Sequence, residues 1–136
     1  MKKEVKQYII IREDLGMSNG KLAAQSSHAS MKVFFDKMRR SIVHGNFEKK
    51  IRTYSFEAKE EEVQWIDGLF TKIVKKVKNE SQLLKVYEKS KELGLNCSLI
   101  KDIGLTELEG ENYTAVAIGP NYVEDCEPVV KRLRNL

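Results

Sequence analysis

The sequence is poor in the residues that mark disulfide-bonded, metal-binding and membrane proteins. It has only two cysteines, Cys97 and Cys126, which are far apart and lie in no CxxC or Cys/His ligand spacing. Neither a disulfide framework nor a structural zinc site is indicated. No apolar run approaches the roughly 18 residues that a membrane-spanning helix needs. We therefore expect a soluble protein of the cytoplasm that does not associate with membranes.

Common active-site motifs are also missing. The chain contains no GxGxxG, GxxxxGK[ST], HExxH or GxSxG motif, so dinucleotide, P-loop, metalloprotease and serine-hydrolase functions lose their sequence support. The NGK at residues 19–21 is only a fragment of a phosphate loop. No group of carboxylates is dense enough to suggest a metal site. We expect the protein to use neither a cofactor nor a metal ion.

The length and composition fit one ordinary globular domain. The chain has 136 residues, of which 41% are hydrophobic, and we predict a single domain over residues 1–136. A formal net charge of +4 gives a mild basic excess, which favours a polyanionic partner without proving one. The segment from Lys32 to Arg52 alone has a net charge of +5, and this segment is the first place to look for such a partner.

Apolar runs alternate with amphipathic segments along the chain, which predicts a three-layer α/β domain around a four-stranded sheet. A long connection at about residues 36–69 is the least predictable part, although Val63, Trp65 and Ile66 suggest a short helix in it, ended by Asp67 and Gly68. The predicted strands are Tyr8–Ile11, Phe70–Val77, Cys97–Ile103 and Thr114–Ile118, with Gly119 and Pro120 ending the last. Two other helices are predicted, from Lys21 to Arg40 and from Asn79 to Leu93. A last helix has Pro128 in its first turn and runs to Leu133 or beyond.

Polar side chains recur on one face of the first predicted helix. Lys21, Gln25 and His28 fall in one stripe with Lys32, while the opposite side is small or apolar, so the stripe should face solvent or a cleft.

Two further polar residues follow the third predicted strand. Asp102 and Thr106 lie where α/β sheets usually carry their sites. A lysine can hold an anion or polarise a carbonyl, an aspartate can orient water, and a histidine titrates near neutral pH. Together with the stripe, this set suits hydrolysis without a metal. The alternative stays open that Lys21 and Lys32 form an ordinary solvated face, that His28 is a structural histidine and that Asp102 caps a loop.

Four segments in this order resemble the type 2 peptidyl-tRNA hydrolases: IIIREDLGMSNGKLAAQSSHAS, FTKIVKKV, LGLNCSLIKDIGLTE and YTAVAIGP. The resemblance implies a metal-free esterase that cuts the bond between a peptide and the 3'-terminal ribose of tRNA. It also implies a three-layer α/β/α domain with a four-stranded mixed sheet, often a homodimer. The family's helix motif falls on Lys21, Gln25 and His28, its strand-end motif on Asp102, Gly104, Thr106 and Glu107, and its last-strand threonine on Thr114.

The residues and the resemblance together suggest a mechanism. Asp102, with His28 or Thr106, would position and activate water, and Lys21 and Gln25 would hold the ester carbonyl or the terminal phosphate. The expected partner is peptidyl-tRNA. Phosphate contacts are predicted for Arg12, Lys32, Lys37, Arg39, Arg40 and Lys101, within a basic set that includes Lys49, Lys50, Arg52, Lys131, Arg132 and Arg134.

Two other functions stay open. In the first, the protein is a non-catalytic member of the same fold that binds tRNA or another protein. In the second, it is an esterase or deacylase that acts on another aminoacyl ester. Departures from the family pattern bear on this choice, since residues 36–69 have no clear counterpart in its shortest members.

Overall fold

The computed structural model describes residues 3–44 and 50–136. Its elements in chain order are β1 (Val5–Arg12), α1 (Asn19–Phe35), β2 (Arg39–His44), β3 (Lys50–Ser55), α2 (Glu60–Asp67), β4 (Lys72–Val77), α3 (Glu80–Glu92), β5 (Cys97–Asp102), β6 (Asn112–Tyr122), α4 (Val123–Val130) and β7 (Arg134–Asn135). The central sheet has the strand order β5-β6-β1-β4-β7. β1 and β4 run parallel and the other neighbours antiparallel, so the sheet is mixed, as predicted.

The predicted number of strands is wrong. The central sheet has five strands, because the two-residue β7 pairs with the outer edge of β4. Lys75 holds this short strand in place, its Nζ donating to the carbonyl of Leu133 and to Oδ1 of Asn135, both at 3.1 Å. β2 and β3 form a separate antiparallel hairpin within the connection at residues 36–69.

Side chains of the sheet alternate between two apolar layers, as the period of a strand requires. On β1, Ile9 and Ile11 pack towards α1, whereas Tyr8 and Ile10 pack towards α3 and α4. Ala115 and Ala117 of β6 also face α1. These small residues let the helix lie close to the sheet, and Ser98 Oγ reaches across to donate to the carbonyl of Ala29 at 2.7 Å.

The first helix ends five residues earlier than predicted, at Phe35 rather than Arg40. After Asp36 the chain turns, and Lys37 Nζ donates to the buried Oε1 of Glu62 in α2 at 2.9 Å. Arg39 and Arg40 consequently belong to β2 and not to α1. The short helix predicted before Gly68 is present as α2.

The last predicted strand does not end at Gly119 and Pro120, as the sequence suggested; β6 continues to Tyr122. A shift in register opposite Gln7 gives β6 one extra residue there, so the strand tolerates a proline without a donor. Gln7 Nε2 donates to the carbonyl of Gly119 at 3.2 Å. α4 also starts earlier and ends earlier than predicted, which places Pro128 inside the helix rather than in its first turn.

Candidate active site

Four segments meet at one edge of the central sheet: the start of α1, the end of β5, the loop after β5 and the start of β6. Ser18 caps α1, its Oγ accepting a hydrogen bond from the backbone N of Lys21 at 3.2 Å. The cap fixes the first turn of the helix, which carries Lys21. β1, β4 and β5 all end at this edge, where open α/β sheets bind their ligands.

Lys21 joins the helix to the loop after β5. Its Nζ lies 2.6 Å from Oδ1 of Asp102 and 2.7 Å from Oγ1 of Thr106. The side chains of Lys21 and Asp102 are only 8% and 10% exposed, so salt screens this pair less than a surface pair. An ammonium group has three N–H donors, of which Asp102 and Thr106 take two. One donor is left for an oxygen atom of a substrate.

Asp102 is held as a carboxylate. The hydrogen bond from Lys21 lowers the pKa of Asp102, and a hydrogen bond from the backbone N of Gly104 at 3.1 Å and the nearby charge of His28 act in the same direction, against desolvation. A carboxylate with a lowered pKa is a weak base at neutral pH. Asp102 is thus better suited to orient Lys21 than to accept a proton from water.

The loop after β5 depends on Gly104, two residues after Asp102. Gly104 has φ +81°, in the left-handed region, and a Cβ there would lie 2.5 Å from the carbonyl oxygen of Gly110. The two ends of the loop approach each other at this point. Any larger residue at position 104 would push them apart and move Asp102 and Thr106.

Glu107 ties the same loop to the helix. Its Oε2 accepts from the backbone N of Ser18 at 2.8 Å, and its Oε1 accepts from Ser18 Oγ. These hydrogen bonds lower the pKa of Glu107. Sequence alone assigns Glu107 no role beyond its place in the motif, because it lies 89 positions from Ser18 and only the folded loop brings them together.

Gln25 and Thr114 form a buried pair behind Lys21. Thr114 Oγ1 donates to Gln25 Oε1 at 2.5 Å, and both residues are almost completely buried. The polar stripe of α1 was expected to face solvent or a cleft; Gln25 lies deepest in this stripe, with only 3% of the residue exposed. Because the amide oxygen is taken, the amide Nε2 is left as a donor; it makes no hydrogen bond within the part of the chain that the structure describes.

His28 lies on the same face of α1 and is exposed. It makes no hydrogen bond to the described residues, but its charge is close enough to help lower the pKa of Asp102. The structure therefore brings Lys21, Asp102 and Thr106 into direct contact, places Gln25 and Thr114 behind them, and leaves His28 at the exposed side.

Four of the residues predicted to contact phosphate already have carboxylate partners. The Arg12 guanidinium is almost buried and donates to both oxygens of Asp14 and to the carbonyl of Tyr113. The Asp14 hydrogen bond raises the pKa of Arg12. Lys37 is paired with the buried Glu62, whereas Lys32 and Lys101 form exposed pairs with Asp36 and Glu111.

Arg39 and Arg40 differ from these four. Both are exposed on β2, and neither forms an ion pair within residues 3–44 and 50–136. Lys49, in the same basic stretch, lies outside the described residues.

Among the described residues, no three His, Cys, Asp or Glu side chains are grouped so as to hold a metal ion. Nor does any described helix have the length and apolar character needed to cross a membrane.

Comparison with known proteins agrees with the motifs. The sequence model of the family described as "Peptidyl-tRNA hydrolase PTH2" matches residues 5–136. A peptidyl-tRNA hydrolase of Methanocaldococcus jannaschii is 36% identical over 97% of this chain and 100% of its own length. A peptidyl-tRNA hydrolase of Staphylothermus marinus is 40% identical over 98% of this chain and 96% of its own length. A solved structure of a protein of unknown function from Agrobacterium tumefaciens has a similar fold, with a TM-score of 0.53, 9% identity and 97% coverage of both chains.

Proposed function

Because this chain belongs to the type 2 peptidyl-tRNA hydrolase family, we propose that it hydrolyses the ester bond between a peptide and the 3'-terminal ribose of tRNA, which returns tRNA to translation. The observation that carries the proposal is the position of Lys21 Nζ, held between Asp102 Oδ1 and Thr106 Oγ1 at the edge of the sheet. Ester hydrolysis needs a fixed donor at the carbonyl oxygen, where negative charge develops.

Lys21 supplies that donor. Asp102 and Thr106 hold two of its N–H groups, and the third donates to the ester carbonyl as the tetrahedral intermediate forms. Because the pair is nearly buried, the ammonium group is already oriented and needs little reorganisation during the reaction. Thr106 keeps the ammonium group from turning towards Asp102 alone.

Gln25 supplies a second donor. Its amide oxygen is fixed by Thr114, so its Nε2 is presented in one orientation, towards the terminal ribose or phosphate of the substrate. A buried amide whose orientation is fixed loses little conformational entropy when it binds. Thr114 acts through Gln25 and is a positioning residue.

His28 is the group that takes a proton from the attacking water. A neutral imidazole nitrogen can accept a proton as a general base, whereas the lowered pKa of Asp102 makes that carboxylate a poor acceptor. The exposure of His28 leaves room for a water molecule beside the ester. Asp102 stabilises the imidazolium that results, since its negative charge is nearby, and the imidazolium gives the proton to the ribose 3' oxygen as the ester bond breaks.

The phosphates of the tRNA meet the basic residues outside this centre. Arg39 and Arg40 are exposed and without ion pairs in the described residues, which supports a role in phosphate binding. Lys32 and Lys101 can exchange exposed carboxylate partners for phosphate at little cost. Lys37 and Arg12 contribute mainly through the local potential, because their charged groups are engaged with Glu62 and Asp14.

The protein acts in the cytoplasm, where peptidyl-tRNA arises. It acts there as a homodimer. Adjacent exposed apolar side chains at Leu69 and Phe70 support self-association, since such a patch gains from burial. Light scattering during size-exclusion chromatography measures the mass directly. A Leu69→Asp variant that stays dimeric would move the proposed interface elsewhere, and a monomeric wild-type protein would remove the proposal.

One assay separates the three functions that the sequence left open. Purified peptidyl-tRNA is incubated with the protein in the presence of EDTA, and free tRNA is measured together with bound tRNA. Cleavage supports hydrolysis without a dissociable metal ion. Binding without cleavage identifies a non-catalytic member of the fold. If the protein neither cleaves nor binds peptidyl-tRNA, esters of other aminoacyl groups are tested next. Cleavage that stops when EDTA is added would contradict the metal-free mechanism.

A further inference from the structure

A second basic feature lies at the same edge of the sheet as Lys21 and Asp102. It is a cleft of about 470 Å³ between β4, α3 and the C-terminal strand, here named the β4–β7 cleft. One carboxylate, Glu13, lies among the five basic side chains that line it, an excess of four positive charges. The basic residues are Lys76, Lys78, Lys85, Arg132 and Arg134.

Most of this charge has no ion-pair partner in the part of the chain that the structure describes. Lys76 Nζ lies 3.6 Å from Glu13 Oε2, a long and partly exposed pair. Within residues 3–44 and 50–136, the other four basic side chains of the cleft form no ion pair. The neighbouring groove along α3 and α4 is different, because Glu80, Glu88 and Glu92 outnumber its two lysines. The positive potential is thus concentrated in the β4–β7 cleft and not spread along α3.

The topology fixes how far this cleft lies from the candidate active site. Asp102 ends β5, Arg12 ends β1 and Val77 ends β4, all at one edge, and Arg134 of β7 pairs with Lys76 there. Neighbouring strands are about 4.8 Å apart, so the edge from β5 to β4 spans about 14 Å and that from β5 to β7 about 19 Å. Arg12 lies between the two sites, its guanidinium bonded to the carbonyl of Tyr113 on β6.

We propose that the β4–β7 cleft binds the phosphodiester backbone of the tRNA substrate, several nucleotides from the ester that is held at Lys21. The inference rests on the proposed hydrolysis of peptidyl-tRNA, which places the 3' end of the RNA at Lys21. Successive phosphates along a nucleic-acid strand are only a few ångströms apart, so a span of about 14–19 Å corresponds to several nucleotides. The cleft therefore holds RNA beyond the reacting end and gives affinity without reading bases.

A double variant tests the cleft. Lys78→Gln/Arg134→Gln removes two exposed charges from it, and Lys59→Gln/Lys89→Gln removes two exposed charges elsewhere. The affinity for uncharged tRNA is measured at several salt concentrations by filter binding. Each lost phosphate contact should reduce the slope of log K against log salt by about 0.9, so we expect a reduction of about 2 in the cleft variant and no change in the control. Circular dichroism shows whether both variants are folded.

Other outcomes would contradict the binding of tRNA at the β4–β7 cleft. Equal slopes in the wild type and the cleft variant, or an equal reduction in both variants, would overturn the inference. Inorganic phosphate and AMP are titrated in parallel against the wild type and the cleft variant. If the cleft variant loses binding of these anions but keeps the wild-type salt slope for tRNA, the cleft is a site for free anions and the inference is overturned. Cleavage of a short peptidyl oligonucleotide by the wild type tests the proposed function separately, because this substrate does not reach the cleft.

Discussion

Thr114 lies against Gln25 because a β-bulge turns its side chain towards α1. Ile100 pairs with Ala115 and Lys101 pairs with Tyr113, so Thr114 is an extra residue on β6. Simple alternation would place Thr114 with Val116, on the face that α3 and α4 cover. The bulge instead puts it on the same side as Ala115, where Oγ1 reaches Gln25 Oε1.

Removing this hydroxyl should weaken both stability and activity. Thr114→Val keeps the shape of the side chain but leaves Gln25 Oε1 buried without its donor, which costs about 1–3 kcal/mol of unfolding free energy. The freed amide should also lose its orientation, and we expect kcat to fall about tenfold. Urea denaturation and initial rates measure the two effects. Thr114→Ser keeps the donor and is the control; equal losses in both variants would show that the methyl group, not the hydroxyl, matters.

The parts of this site that could be predicted from sequence are those with local causes. An apolar run fixes β1, a serine cap fixes the start of α1, and the shared edge of parallel strands predicts that Lys21 and Asp102 lie near each other. The bulge at Thr114 and the Ser18–Glu107 contact could not be predicted, because each depends on pairing between distant segments.

The hairpin shows a second limit. Ile42 of β2 and Ile51 of β3 are both exposed, so no burial pattern marks these strands. The available indication was composition: β-branched and aromatic residues such as Thr53 and Tyr54 follow a Gly-Asn pair in the sequence.

Arg39 and Arg40 lie on opposite faces of this hairpin and should therefore contribute unequally to tRNA binding. Arg40 pairs with Tyr54 and shares its face with Arg52, whereas Arg39 pairs with Ser55. A face with two guanidinium groups and an aromatic ring is better suited to RNA than one with a single charge. Arg40→Gln should reduce the slope of log K for tRNA against log salt by about 1, and Arg39→Gln should reduce it by less. Equal effects would mean that the hairpin acts only through its total charge.

The Lys37–Glu62 pair should be a strong determinant of stability. Glu62 has no exposed side-chain surface, and its Oε2 has no hydrogen-bond partner among the described residues. Lys37→Met would leave a buried carboxylate alone, and the unfolding free energy should fall by about 3–5 kcal/mol. In Lys37→Met/Glu62→Leu most of that loss should be recovered. A double-mutant cycle in urea measures the coupling, and a loss below about 0.5 kcal/mol in the single variant would show that the pair behaves as a surface pair.

Acidification tests the lowered pKa of Asp102. Since the folded protein binds the proton less readily than the unfolded chain, the stabilisation is complete above the ordinary aspartate pKa of about 3.9 and is lost as the pH falls through the folded-state pKa. Asp102→Asn should thus lower the unfolding free energy at pH 7 and flatten its decline below about pH 4. Denaturation at several pH values measures this. Asp67→Asn, at an exposed position, is the control, and parallel curves for wild type and Asp102→Asn would contradict the expectation.

The most direct test of the proposed mechanism is the single-turnover rate of peptidyl-tRNA cleavage by the Lys21→Ala variant, at saturating protein and with EDTA present. Loss of a preorganised donor to the developing oxyanion lowers such rates by about 100- to 1,000-fold. We expect a loss of that size, with an unchanged circular dichroism spectrum and with wild-type cleavage by the control variant Lys89→Ala. A Lys21→Ala variant that cleaves within tenfold of the wild-type rate would contradict the assignment of Lys21 as the donor.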